Sequence, residues 1–338
     1  MTRLRSRCGP LPVAWIVSVA ATQEKLELPA LPLEDWEPTL DTLHLWAQIV
    51  GKVRLVTAAP RNHWWHVTLY LDVRGLTTRR LHAGGTTFQI DFDFVDHRLI
   101  VRTARGEVKS FELADGLSVA DFDAKLHGLL RKLGIDVAIR EEPYGVPMTT
   151  PFSDDREHAS YDPAAVASFW RVLDWSDSVF EEFAGWSCAK TSPVQLFWHG
   201  LDLAVTRFNG RRAPVNPNAD PVSREAYTHE VISFGFWAGD ENVREPTYYS
   251  YTAPEPPGLR DRPLQPADAR WVGERSAMAQ LPYESVRTAD DPRTTLLSFL
   301  ESAYRGGADL GDWDREDLRS SWCPDPPTLR QLLGEAER

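Results

Sequence analysis

The sequence has few cysteines and no long hydrophobic run, and each absence excludes a class of protein. Its 338 residues include only Cys8, Cys188 and Cys323, which are far apart and odd in number. This pattern excludes a disulfide-stapled scaffold and a zinc site built from four thiolates. No uninterrupted apolar run approaches the roughly 18 residues that a membrane-spanning helix needs, so we expect no membrane-spanning segment.

The sequence also has fewer basic than acidic residues. The chain has 37 lysines and arginines against 49 aspartates and glutamates, which gives a formal net charge of −12. A negative net charge works against nonspecific attraction to nucleic acid and to anionic lipid surfaces. We therefore expect neither nucleic acid nor a membrane as a partner.

What the chain does contain is enough apolar sequence for a large core. Hydrophobic residues make up 42% of the chain and charged residues 25%, a composition typical of folded globular proteins. At about 100–200 residues per domain, the length predicts two domains, or one large domain with substantial insertions. A proline-containing bridge from Pro143 to Pro151 predicts a boundary between a first half, residues 29–150, and a second half, residues 151–338.

The amino terminus carries a pattern that concerns targeting rather than the fold. Three arginines precede an apolar stretch from Leu11 to Ala21, which resembles a secretory signal. Pro12 and Ser18 interrupt that stretch, and the rest of the chain lacks the cysteine pairing of an exported protein. We therefore predict that residues 1–28 are an extension, disordered or arising from a misassigned start, and that the protein is cytoplasmic.

In the first half, hydrophobic periodicity predicts a helix, several antiparallel strands and a second helix. Apolar residues recur at three- and four-residue intervals from Asp41 to Arg54, which predicts an amphipathic helix. Alternation with period two predicts a strand from Trp65 to Val73 and a hairpin from Phe88 to Val101. Ser118 is a typical N-cap for a further helix, which Gly134 ends.

The second half repeats this order. It begins with a helix from Val166 to Phe183 and closes with one from the N-cap Asp291 to Gly306-Gly307, with a proline-rich surface loop at 253–266. Strands are predicted over Val194–Phe208, where Gly200 permits a break, Val231–Trp237 and Thr247–Thr252. The repetition predicts an α+β fold of two similar halves, which a tandem duplication would explain, with a ligand cleft between them.

Cations and aromatic residues accompany each other in this acidic chain. The candidate ligand-binding residues are Lys52, Arg54, Trp65, His66, Lys190, Arg207, Arg211 and Trp237. Their charged groups suit a carboxylate or phosphate, and their rings suit stacking on a ring or sugar. His229, Glu230 and His44 are the candidate catalytic residues, with an imidazole as general base. The structural alternative is that Arg207 pairs with Asp202 or Glu230 and that most tryptophans are packing residues.

A metal site is a weaker hypothesis. His63 and His66 are three residues apart, and on a strand such residues point to opposite faces, so joint ligation requires a turn at Trp64. Asp91 and Asp93 share one face of their strand and suit a hard cation, although a solvated sheet face explains them as well. We assign no metal and no cofactor from the sequence.

Two long blocks of sequence resemble a known family. They run from Leu31-Pro32-Leu33 through Gly51-Lys52-Val53-Arg54 to Asn62-His63-Trp64-Trp65-His66, and from Lys190-Thr191-Ser192-Pro193 to Gly210-Arg211. From about Pro29 onward the chain resembles a bacterial family catalogued as a domain of unknown function. The resemblance implies a soluble, cytoplasmic protein with no assigned activity and no known cofactor. The family pattern has histidine and glycine in place of Gln195 and His199, which argues against a catalytic role for His199.

These patterns lead to one main hypothesis and two alternatives. The main hypothesis is that a small polar or anionic organic molecule binds between the halves, with hydrolase or transferase activity left open; it requires Lys52, Arg207 and His229 to face one cavity. One alternative is a non-catalytic interaction protein whose tryptophan-rich surfaces and proline-rich segment dock a partner. The other is a metal-dependent enzyme that uses His63 and His66.

Overall fold

The elements of the fold are known from a computed structural model that describes residues 27–214 and 217–334. The α-helices are α1 (Glu37–Thr57), α2 (Val119–Lys132), α3 (Pro163–Gly185), α4 (Pro221–Ala226), α5 (Tyr283–Arg287), α6 (Pro292–Leu310) and α7 (Pro326–Leu332). The strands are β1 (Tyr70–Asp72), β2 (Gly75–Thr77), β3 (Leu81–Ala83), β4 (Thr86–Asp93), β5 (Arg98–Thr103), β6 (Val108–Glu112), β7 (Gln195–Phe197), β8 (Asp202–Arg212), β9 (His229–Trp237), β10 (Thr247–Ala253), β11 (Arg270–Val272) and β12 (Met278–Pro282). Within these ranges no helix combines the length and the apolarity needed to cross a membrane. The predicted extension, residues 1–28, lies outside the described residues except for its last two.

Two antiparallel sheets and the helices around them confirm the predicted α+β class. The first sheet has the order β1-β2-β4-β5-β6, with β3 also paired to β4, and the second has the order β11-β12-β10-β9-β8-β7. The sheets meet at one edge, where Leu69 and Leu196 exchange main-chain hydrogen bonds of 2.9 Å. Each half thus follows the predicted order of helix, sheet and helix, and a common origin by duplication stays a prediction.

The predicted helix starts are confirmed by their caps. The Ser118 hydroxyl accepts a hydrogen bond of 3.1 Å from the Asp121 amide, and the Asp291 carboxylate accepts one of 3.0 Å from the Thr294 amide. The predicted end of α6 is wrong, because the helix continues past Gly306-Gly307 to Leu310. A Cβ atom at Gly307 would lie 2.2 Å from the Thr252 hydroxyl on β10. These glycines allow the helix to approach the sheet closely and do not end it.

Two predicted strands differ from the structure. The segment from Trp65 to Val73 is extended only from Tyr70 onward, because His63 and Trp64 take the left-handed conformation, with φ of 57° and 60°, in a tight turn. The predicted strand Val194–Phe208 is a hairpin of β7 and β8, not one strand. Its turn includes Leu201, with φ of 48°. The alternation of apolar residues along the sequence does not reveal these two turns.

One continuous hydrophobic core connects the two halves. On one side of the second sheet, Phe183 of α3 packs against Phe234 of β9 with ring centroids 5.0 Å apart. The same helix reaches the first half, where Phe169 contacts Trp36 at 5.2 Å between ring centroids. Because α3 and α6 cover this side of the second sheet, the residues that alternate with its core positions point to the opposite side.

The proline-rich segment 253–266 lies against α6. Its Leu259 is 1% exposed, and the Cβ of its Arg262 approaches the backbone of Gly306 closely. The Arg262 carbonyl accepts a hydrogen bond of 2.8 Å from the Trp271 indole. Leu259 and the Arg262 contacts therefore anchor the segment on the protein, while Pro254, Pro257 and Pro263 are exposed.

Candidate functional site

A cavity of about 700 Å³ lies on the side of the second sheet that α3 and α6 do not cover. Alternation along β8 directs Ala204, Thr206 and Phe208 toward it, and Ser233 of β9 lies beside them. The other walls come from α1, α4, residues 63–67 and the connection at 140–144. Both predicted halves thus contribute to one cavity.

Two glycines permit the close packing that shapes this cavity. A Cβ atom at Gly235 would lie 2.3 Å from the ring of Tyr249, so glycine allows this ring to lie flat across β9. A Cβ atom at Gly51 of α1 would lie 2.2 Å from the indole of Trp198, so glycine lets α1 rest on the turn between β7 and β8. Both aromatic side chains line the cavity.

The most distinctive polar group of the cavity is the carboxylate of Asp202. The Tyr249 hydroxyl donates to it a hydrogen bond of 2.5 Å. Burial raises the pKa of Asp202, while nearby His199 and the tyrosine hydrogen bond act in the opposite direction. Burial also raises the pKa of Tyr249 well above its usual value, and the Asp202 charge adds to that effect. The Tyr249 hydroxyl therefore stays protonated and donates its hydrogen bond. The Asp202 carboxylate accepts that bond and borders the cavity.

Aromatic rings surround this carboxylate. Tyr249 and Tyr251 of β10 are stacked, with centroids 6.3 Å apart and planes within 7° of each other. The hydroxyls of Tyr251 and Tyr227 are 3.1 Å apart, and Phe197 and Trp198 add two further rings to the lining. The site combines large apolar faces with a small number of hydroxyl and carboxyl groups, which is typical of pockets for small organic molecules.

The predicted catalytic residue His44 is a structural clamp. Its Nε2 donates to the carbonyl oxygens of Trp198 and His199, at 3.0 and 3.2 Å. Burial lowers the pKa of His44 to about 4, so the imidazole is neutral at pH 7. His44 is not among the residues that line the cavity, and it acts on the cavity by holding the turn between β7 and β8.

Gln48 lies one helical turn further along α1 and holds the 140–144 connection, which forms another wall of the cavity. Its side-chain amide donates to the Tyr144 carbonyl at 3.0 Å and accepts from the Tyr144 amide at 2.8 Å. This two-way bond fixes Tyr144 at the rim of the cavity, where its side chain is 54% exposed.

Lys52, a predicted ligand-binding residue, does line the cavity. Its ammonium group donates to the carbonyl oxygens of Arg140, at 3.0 Å, and Glu142. Burial lowers the pKa of Lys52 to about 8, although the Glu142 charge favours the ammonium form. The ammonium group therefore both anchors the 140–144 connection and borders the cavity.

The structure does not bring the predicted cations together. Arg207 points to the opposite side of β8, where its guanidinium lies 3.5 Å from the ring centroid of Phe183 and 4.6 Å from that of Tyr304. It donates to the Phe183 carbonyl and borders a separate cavity of about 230 Å³. The suggested pairs of Arg207 with Asp202 and Glu230 do not form: Asp202 accepts from Tyr249, and Glu230 pairs with Arg211.

Glu230 and Arg211 are held in another network. The Arg211 guanidinium forms an ion pair of 2.8 Å with Glu230, and Asn209 and the Trp313 indole also donate to that carboxylate. His229, the neighbouring residue, contacts the Thr228 hydroxyl at 3.1 Å. None of the predicted catalytic residues lines the large cavity.

The remaining predicted ligand-binding residues are divided between packing and the cavity. Arg54 is buried and donates to the carbonyl of Thr78, and His66 accepts a hydrogen bond of 3.2 Å from the Arg61 amide. Trp237 packs against Tyr249 at 5.3 Å between ring centroids and is not among the residues that line the cavity. Trp65 lines the cavity directly, so it and Lys52 are the two predicted ligand-binding residues found there.

His63 and Lys190 bond each other near the cavity. The Lys190 ammonium donates to His63 Nε2 at 2.6 Å, and His63 Nδ1 donates to the Ala226 carbonyl at 2.8 Å. Both ring nitrogens of His63 are thus occupied, which leaves no lone pair for a metal. Within residues 27–214 and 217–334, no group of three or more histidines, cysteines and acidic residues is arranged to hold a metal ion.

The docking alternative also finds little support in the surface. Among the described residues, Trp322 is the tryptophan that ranks with the exposed large hydrophobic side chains, at 62% exposure. The proline-rich segment lies against α6, as described above.

Sequence reasoning missed Asp202 as a site residue. Tyr249 and Tyr251 belong to the aromatic residues that accompany the candidate cations, but they were not selected as ligand-binding residues. A signal for Asp202 was present, because it is an acidic residue within the apolar stretch Val194–Phe208. Tyr249 and Tyr251 alternate on one face of a predicted strand, but alternation does not show which face borders a cavity. Their role depends on Gly235 in the neighbouring strand, which the sequence does not connect with them.

Comparison with known proteins identifies the family of this chain. No curated protein and no solved structure matches this chain. One family model matches residues 28–320, which include every cavity residue discussed above and confirm the resemblance found in the sequence. The chain therefore belongs to DUF5996, a family of unknown function.

Proposed function

We propose that this protein binds a small organic molecule in the cavity between α1 and the second sheet. The observation that carries the proposal is the cavity itself, whose volume of about 700 Å³ lies within the range of ligand pockets, roughly 300–1,000 Å³. Its lining is mainly aromatic and aliphatic, so most of the binding free energy would come from burial of an apolar ligand surface.

The polar groups of the cavity support a ligand with at least one polar end. Asp202 and Tyr249 offer an acceptor and a donor, and the hydroxyls of Thr206 and Ser233 lie 2.9 Å apart on the neighbouring strands. A few convergent polar groups in an apolar pocket orient a ligand and select among ligands of similar size. The proposal stops at binding, because His229 and Glu230 lie outside the cavity.

A thermal-shift screen tests this proposal. The probes are amines, carboxylates, sugars and phosphorylated metabolites, and a ligand that binds the folded state raises Tm by an amount that grows with the ratio of its concentration to its Kd. We expect a stabilising ligand that competes for the cavity with the side chain introduced by Ala204→Phe, because Ala204 faces the empty space from β8. Circular dichroism checks that the variant folds.

Ala164→Phe is the matched control, because Ala164 is exposed near the start of α3 and away from the cavity. The expected result is stabilisation of the wild type and of Ala164→Phe, with none in folded Ala204→Phe. A ligand that stabilises all three proteins equally, or a screen without any stabilising compound, would contradict the proposal.

A further inference from the structure

The carboxylate of Asp202 lacks a cationic partner. Among the described residues, no lysine, arginine or histidine forms an ion pair with it, and its polar side-chain contact is the Tyr249 hydroxyl. The part of this side chain that is not buried borders the cavity. The imidazole of His199 lines the same cavity and lowers the pKa of Asp202 electrostatically, but it forms no ion pair with the carboxylate. A ligand in the cavity therefore has access to an acidic group that is in no ion pair among the described residues.

The surroundings of Asp202 strengthen the preference for positive charge. A carboxylate removed from water is costly unless it is paired, and burial raises the pKa of this one accordingly. The faces of aromatic rings carry negative electrostatic potential and attract cations. Tyr249, Tyr251, Phe197 and Trp198 supply such rings around the same cavity. Both features favour a cation and disfavour an anion.

The lysine and the arginine that border the cavity are already engaged, and His199 and His63 are the histidines that also line it. Lys52 donates to two main-chain carbonyls, and Arg140 forms an ion pair of 3.0 Å with Glu142 at the exposed rim. Lys190 donates to His63 and is not part of the lining. An anionic ligand would have to compete for the Lys52 and Arg140 groups, whereas a cationic ligand would meet an acidic group that is in no ion pair among the described residues.

We propose that the ligand carries an organic ammonium group, which Asp202 binds as counter-ion and the rings of Tyr249 and Tyr251 contact through their faces. This inference rests on the proposed function and adds the chemical class of the ligand. The hydrocarbon part of the ligand would lie along Ala204 and Phe208, on the apolar floor of the cavity.

Three probes of similar size and different charge test the inference on the full chain. They are 2-phenylethylammonium, 2-phenylethanol and 3-phenylpropanoate, titrated at pH 7.5 by calorimetry. We expect the ammonium probe to bind at least about ten-fold more tightly than the alcohol, with the carboxylate weakest. This comparison on the unmodified protein does not depend on any variant.

Asp202→Asn then tests the assigned residue. Asparagine keeps an oxygen that accepts from Tyr249 but removes the charge, so the ammonium probe should lose about ten-fold in affinity while the affinity of the alcohol changes by much less. Asp268→Asn, at an exposed aspartate, is the matched control and should change neither.

The outcomes separate the two proposals. Equal or tighter binding of the alcohol or the carboxylate would overturn the ammonium assignment and leave ligand binding in the cavity standing. An ammonium preference that survives in folded Asp202→Asn would also overturn it. No measurable binding of the ammonium probe up to about 10 mM would overturn it as well. The proposed function would fall only by the two outcomes of the thermal-shift experiment given above.

Discussion

At the scale of single residues, polar side chains on α1 hold the cavity walls through main-chain carbonyls. His44, Gln48 and Lys52 succeed each other at four-residue spacing and each bonds the backbone of another segment. Carbonyl partners satisfy buried donors without adding charge. This arrangement makes the protonation state of His44 important for the stability of the fold.

His44→Gln tests that role through the pH dependence of stability. The pKa of His44 is about 4 in the folded protein against 6.5 ordinarily, so between these values the unfolded chain binds a proton that the folded chain does not. The free energy of unfolding therefore falls as the pH is lowered through this range, by about 2 kcal/mol from pH 7.5 to 5. Glutamine retains a donor and does not titrate.

Denaturant unfolding at the two pH values measures the effect. Because the other titrating groups are shared, we expect the wild type to lose about 2 kcal/mol more than His44→Gln between pH 7.5 and 5. Identical losses in the two proteins would show that His44 is not held neutral in the fold.

At the scale of elements, α1 packs closely against the turn between β7 and β8 at a glycine. Gly51 lies in the interior of α1, a position where alanine would normally be preferred by about 1 kcal/mol. Its place in the helix is explained by Trp198, whose indole occupies the space that a Cβ atom would need. Tertiary contact thus outweighs helix propensity at this residue.

Gly51→Ala and Gly128→Ala therefore have opposite expected signs. At Gly128 of α2 no atom lies within 4 Å of the added Cβ, so alanine should stabilise the protein by about 0.5–1 kcal/mol. At Gly51 the added Cβ should displace Trp198 and destabilise the protein by about 1–3 kcal/mol. Chemical denaturation of both variants measures the signs, and stabilisation by Gly51→Ala would refute the packing argument.

At the scale of the whole molecule, the two halves share one core and one cavity. Phe169 of α3 packs on Trp36, Trp170 packs on Phe94 at 6.3 Å between ring centroids, and the sheets join at Leu69 and Leu196. These contacts cross the predicted boundary near residue 150. The halves are therefore expected to depend on each other for stability.

This dependence predicts one cooperative unfolding transition. Circular dichroism and tryptophan fluorescence of the full chain should give coincident thermal transitions. A fragment of residues 28–150 should fail to fold, because it would expose the surfaces of Trp36 and Phe94 that α3 covers. Two separated transitions, or a fragment with cooperative unfolding of its own, would instead favour independent domains.

Parts of the site were predictable and parts were not. Four-residue spacing is enough to place His44, Gln48 and Lys52 on one face of a helix, but it does not show that carbonyl groups meet that face. Asp202 and Arg207 are separated by an odd number of positions on β8, so alternation alone directs them to opposite sides of the sheet. The alternative that paired Arg207 with Asp202 overlooked this constraint.

The sequence by itself determined the α+β class, the order of the elements and the caps of α2 and α6, because periodicity and capping act between neighbours in the chain. Only the tertiary structure decided which strand faces border the cavity and which charges find partners. The contacts of Asp202 with Tyr249 and of Gly51 with Trp198 join residues far apart in sequence. Such contacts exist only once helices and sheets have packed, and no local pattern specifies them.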